Sequence, residues 1–194
     1  MTTAALLALS RLIDRVTAFF GRHVKWAIFV AILVSAGNAI SRKAFDLSSN
    51  AWLELQWLLF GAAFMLAAAY TLQQNAHVRI DVVSARLSKR TRDVIELLGH
   101  LLILAPVCLI LLWLSWPYFR DSFLEGEISS NAGGLPVWPA KFLIFAGVLL
   151  LCLQMVSEVI KRSMVLAGRI EDPAAVPVHG HAPSATSPGG AHPE

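Results

Sequence analysis

Glu54 is an ionisable residue inside a long apolar run. Burying a charge in hydrocarbon costs several kcal/mol, so such a residue is a functional candidate by default. It stands about one turn from the end of its run, near the depth of Asn38, Arg42 and Lys43. Two chemistries fit: a carboxylate that carries an ion or proton, or one that pairs with Arg42, Lys43 or a neighbouring subunit. Pairing is favoured, because a coupling site needs several convergent oxygens near the bilayer midplane, and this chain supplies almost none there. Two further pairs stand four residues apart, Glu96 with His100 and Glu158 with Arg162, each on one helix face near a helix end. They read as ties to head groups or a partner. In the segment His77, Arg79, Asp81, the guanidinium suits a phosphate or carboxylate and Asp81 can cap a helix, so the expected role is structural.

Enzyme motifs are absent. The chain has no glycine-rich nucleotide loop, no HExxH and no Cys/His metal set, and Ser129 and Ser130 have no nearby His to activate a hydroxyl. His179, His181 and His192 in the tail are a weak metal signal. A haem needs paired histidines across helices, and only His100 lies well within an apolar run. No catalytic, metal or cofactor-binding residue is assigned.

The elements that must position these residues are four apolar stretches, approximately Val24 to Ile40, Ala51 to Leu72, Val94 to Trp116 and Val137 to Ile160. Each approaches the roughly 20 residues that cross about 30 Å of hydrocarbon. The composition agrees: 56% hydrophobic with mean hydropathy +0.61 over 194 residues describes one small membrane domain. Of the 16 Lys and Arg, only Arg42, Lys43, Arg120 and Lys141 fall on one side of the expected crossings. The Lys/Arg bias therefore places both termini and the middle loop in the cytoplasm. With net charge +3 and the basic residues beside crossings, anionic lipid head groups are the expected counter-charge. A cleaved signal peptide is not expected, because no positive segment precedes Ala4 to Leu9.

Before the first crossing, Leu6, Leu9, Ile13, Val16 and Phe20 recur at three- and four-residue steps, the pattern of an amphipathic interfacial helix. Ile80, Val83 and Leu87 suggest a second. The small residues Gly61, Ala62, Ala63 and Ala67 to Ala69 favour close packing of the second crossing, and Trp52, Trp57, Trp113, Trp116, Tyr118 and Trp138 suit an interfacial aromatic belt. A loop is expected from Pro117 to Pro136, with turn residues Ser129, Ser130, Asn131, Gly133 and Gly134. Cys108 and Cys152 are expected about 9 Å apart in depth, beyond the roughly 7 Å Cα limit of a disulfide. The fold class is thus all-α integral membrane, four transmembrane helices plus amphipathic interfacial helices, N-in/C-in. The expected divisions are an interfacial helix over 1–23, a four-helix membrane domain over 24–168 and a disordered cytoplasmic tail over 169–194.

Glu54 and Trp57, the small-residue helix, Ala76-His77-Val78-Arg79-Ile80-Asp81-Val82, Gly133-Gly134-Leu135-Pro136-Val137-Trp138-Pro139, Lys141 and Gln154 together resemble the small membrane subunit of tripartite ATP-independent periplasmic (TRAP) transporters. The resemblance covers roughly Val24 to Lys161. It implies a bacterial inner-membrane protein whose partners are a large sodium-coupled permease subunit, which moves like an elevator, and a soluble periplasmic substrate-binding protein. Under it the small subunit is scaffold, the substrate an organic acid, and Glu54, Trp57, His77, Arg79, Asp81, Trp138 and Lys141 are partner or structural residues. The rival from the residues alone is an autonomous four-helix exporter in which Glu54 exchanges protons for drug.

Overall fold

An apolar run of about 20 residues can satisfy its whole backbone within itself in lipid by forming a helix. The computed structural model, which describes residues 3–47, 49–75 and 87–170, is helical accordingly. Its elements are α1 (Thr3–Phe45), α2 (Asn50–Gln73), α3 (Lys89–Gly99), a π-helical turn (His100–Leu104), α4 (Ala105–Glu125) and α5 (Trp138–Leu166). α3, the π turn and α4 form one continuous rod, Lys89–Glu125, and with α1, α2 and α5 give four helices long and apolar enough to cross a membrane. His77, Arg79 and Asp81, the stripe residues Ile80 and Val83, and the tail from 171 onward lie outside the described residues.

α1 runs unbroken through Arg22 and Lys25, so the amphipathic segment and the first crossing are a single helix of 43 residues, about 65 Å. Its buried seam in the N-terminal half is Ser10, Ile13 and Thr17, whereas Leu9, Val16 and Phe20 face outward. The π turn lies just ahead of Pro106: proline has no N–H for an i−4 carbonyl, and the widened turn hands the Ala105 N–H to His100 O instead. α4 passes through Pro117 and stops at Gly126, whose φ of +61° lets the Glu127 N–H reach Ser122 O at 3.1 Å. The expected loop is therefore shorter at its start, because the left-handed glycine ends the helix and the proline does not.

α2 packs between α1 and α5, and α5 also carries α4 and the N-terminal half of α1. α5 is the hub, with 39% of its apolar window buried against 6–11% in the other three. Glycines set the contacts. A Cβ on Gly21 of α1 would enter the Tyr70 ring of α2, and one on Gly147 of α5 would stand 2.7 Å from Met65 Cβ. Of the small residues in α2, Ala63 and Ala69 are buried, but Gly61 faces open space. Cys108 and Cys152 pack into one cluster with Val148, both as free thiols. The expected depth offset fails because each cysteine sits near the centre of its actual helix: Lys89–Glu125 extends past its apolar stretch at both ends, and α5 extends past its stretch at the C-terminal end.

Candidate functional site

Residues 126–137 form a small hairpin between α4 and α5. Val137 N–H bonds Glu127 O at 2.9 Å and Ser129 N–H bonds Leu135 O at 3.0 Å, while Gly134 N–H closes the Asn131 turn at 2.9 Å. Glu54, on the first turns of α2, reaches into this hairpin. Its Oε1 accepts from Ser129 Oγ and, at 2.8 Å, from Asn131 Nδ2, and its Oε2 accepts from the Leu135 N–H at 2.6 Å. Asn50 Nδ2 adds a bond to Ala132 O at 3.0 Å. Gly134 permits this approach, since a Cβ there would stand 2.6 Å from Ser129 Cβ and 2.9 Å from Glu54 Oε1.

The expected partnership with Arg42 or Lys43 is not made. Trp52 faces Gly37 of α1, 3.3 Å from where a Cβ would be, and two residues further along a helix is 200° around it. Glu54 therefore points away from α1, and Arg42 and Lys43 stay exposed at the end of that helix. A moving ion would have to displace the chain's own donors from this carboxylate, which acts as a latch between α2 and the start of α5.

Lys141 completes the same corner. It pairs with Glu127 and lies 4.2 Å from the Tyr118 ring centroid, so it fastens the hairpin to both α5 and α4. The Lys141 ammonium holds the Glu127 carboxyl below its ordinary 4.5. Trp138 opens α5 and meets Phe123 edge-on at 5.4 Å. Trp57 is 71% exposed and lines, with Gly61 and Met65, a groove of about 430 Å³ between α2 and α5, capped at one end by Glu54 and Asn131.

Sequence reasoning missed the polar centre at the opposite end of the bundle. Asp14 accepts from Gln154 Nε2 (2.9 Å), Ser157 Oγ (2.8 Å) and Lys161 Nζ (3.3 Å), and Ser10 bonds Ser157 at 2.8 Å. Gln73 joins α2 to it through Asp14 O at 2.8 Å. Gln154 and Ser157 are fully buried. A stripe of Ser10, Asp14 and Thr17 at four- and three-residue steps was the available signal, hidden by the apolar stripe beside it. Arg162 pairs with Asp93 at 2.9 Å and with Glu96 across to α3, while Glu158 pairs with Lys161 at 2.5 Å. Glu158 and Arg162, expected to tie their helix end to head groups or a partner, find partners within the chain instead, because α3 brings two carboxylates to Arg162 and Lys161 lies one turn from Glu158. His100, expected beside Glu96, begins the π turn with its Nδ1 buried and unpartnered.

A family model described as "Tripartite ATP-independent periplasmic transporters, DctQ component" matches residues 30–164. The chain belongs to the DctQ family. It is therefore a small component of a TRAP transporter, a membrane protein and not an enzyme. No curated protein and no solved structure matches it. The matched region of this DctQ chain contains both Glu54 and the hairpin that holds it, along with Gln154 and Lys161 of the polar centre, while Ser10 and Asp14 precede it.

Proposed function

We propose that this DctQ chain is the fixed scaffold of a three-part uptake system in the bacterial inner membrane. Its large partner subunit carries the solute and the coupled sodium ions by an elevator motion, and a periplasmic binding protein delivers an organic acid to it. The observation that carries this reading is the commitment of Glu54: its oxygens serve hydrogen bonds within the chain. Between that latch and the Asp14 centre the helices meet through small and apolar residues, Gly147, Met65, Cys108 and Cys152 among them. A solute crossing there would lose its hydration with nothing to replace it. Both termini are assigned to the cytoplasm on the distribution of Lys and Arg. The candidate partner-facing or structural residues remain Glu54, Trp57, His77, Arg79, Asp81, Trp138 and Lys141.

Proteoliposomes containing this chain alone, the large subunit alone or both, with loaded binding protein outside, test the proposal. Uptake is expected only with both. Uptake by this chain alone would favour an autonomous carrier, and full uptake by the large subunit alone would make the scaffold dispensable.

A further inference from the structure

The N-terminal half of α1 divides its circumference into three sectors. Ser10, Ile13 and Thr17 are buried in the bundle, and Leu9, Leu12, Val16, Phe19 and Phe20 are exposed apolar residues. Arg11, Arg15, Arg22 and Lys25 share the third sector, an arc of about 80° at 100° per residue. All four are exposed. None has an acidic partner among the described residues. The single acid of α1, Asp14, is turned inward onto Gln154, Ser157 and Lys161. The sector therefore carries four uncompensated positive charges.

Its depth is fixed by α2. Gly21 lies against Tyr70, and Gln73 bonds Asp14 O at 2.8 Å, so the stretch from Asp14 to Gly21 is level with the end of the apolar run of α2. Arg22 and Lys25 fall on the hydrocarbon side of that level, and Arg11 on the far side. Helical side chains lean toward the N-terminus, which here is outward from the hydrocarbon. Arg22 shows it, with Nε on Ala18 O at 3.1 Å, one turn back. Long basic side chains in this position keep their stems in the apolar layer and bring their charge to its edge. Trp26, 58% exposed, flanks them as an interfacial ring would.

We propose that Arg11, Arg15, Arg22 and Lys25 form a binding strip for the phosphates of anionic phospholipids in the leaflet at the N-terminal end of the bundle. Phosphate is the partner that this depth supplies: it neutralises the cations where water is thinning, and the neighbouring apolar sector receives the acyl chains. The inference rests on the four membrane-spanning helices and goes beyond the transport reading.

The test is native mass spectrometry of the full chain in detergent, titrated separately with phosphatidylglycerol and phosphatidylcholine. A basic residue near an anionic membrane surface contributes up to about fivefold in affinity, and less toward a single lipid in detergent. The variant combining Arg11→Gln, Arg15→Gln, Arg22→Gln and Lys25→Gln is expected to bind phosphatidylglycerol about tenfold or more weakly, with phosphatidylcholine binding unchanged. A variant with lysine at the three arginine positions should keep most of the binding. Circular dichroism checks that each variant keeps its helix, and should the fourfold variant not fold, Arg11→Gln/Arg15→Gln and Arg22→Gln/Lys25→Gln are each expected to lose several-fold. Unchanged phosphatidylglycerol binding in the neutralised variants would overturn the proposal, as would an equal loss on neutralising Arg42 and Lys43 at the other end. Intact lipid binding with loss of a co-purifying acidic protein would show a protein-docking strip instead, and would also overturn it.

Discussion

Gly147→Ala tests a close approach between the α2 and α5 backbones. The added Cβ would stand 2.7 Å from Met65 Cβ, 2.9 Å from Met65 O and 3.1 Å from Met65 C. Carbon atoms rest at about 3.5–4.0 Å, so α2 and α5 must part by roughly 1 Å, and the neighbour that must yield is backbone. Overpacking of this kind costs about 1–3 kcal/mol, against about 1 kcal/mol regained from replacing a helical glycine. Gly61→Ala is the control. It sits in the interior of α2 with nothing within 4 Å of its added Cβ, so it has the same propensity gain without the clash. The two variants should differ by about 1–3 kcal/mol, or about 2–12 °C in Tm at roughly 2–4 °C per kcal/mol for a chain of this size. Thermal unfolding of both in one detergent, followed by tryptophan fluorescence, reads the difference. Equal melting temperatures, or Gly147→Ala the more stable, would refute the close approach of α2 and α5.

Three further outcomes are expected. Because Lys141 holds the Glu127 carboxyl below its ordinary 4.5, the pair stabilises the hairpin above that pH and its contribution is lost as pH falls below it through the lowered value. Acid titration followed by near-UV circular dichroism should show this loosening, and Lys141→Gln should remove that step. Arg162→Met leaves Asp93 and Glu96 without their shared cation, at a cost of about 3 kcal/mol; adding Asp93→Asn and Glu96→Gln should recover part of the lost Tm, and no recovery would count against the pairing. A cysteine at Ser130 should react with an impermeant thiol reagent from the periplasm and one at Ser88 should not, and the reverse pattern in intact cells would invert the assigned orientation.

The four crossings were legible in the sequence because length and hydrophobicity alone decide whether a helix can cross hydrocarbon, and each run declares both. The turn residues Asn131, Gly133 and Gly134 were legible too, since their backbone preferences act locally. The family signature placed Glu54 and Gln154 among residues of interest without revealing what they touch. Partners were decided only in three dimensions: Glu54 faces the hairpin instead of Arg42 because 200° of helix separates it from Trp52. Arg162 is tied to Asp93 and Glu96 of its own chain, and not to head groups, because α3 lies beside α5. The physical reason is that helix formation is satisfied within a segment, whereas a buried polar group is satisfied only by whatever the rotation and depth of neighbouring helices bring to it. Those depend on where Gly21 and Gly147 let backbones meet, a property of pairs of helices that no single stretch of sequence carries.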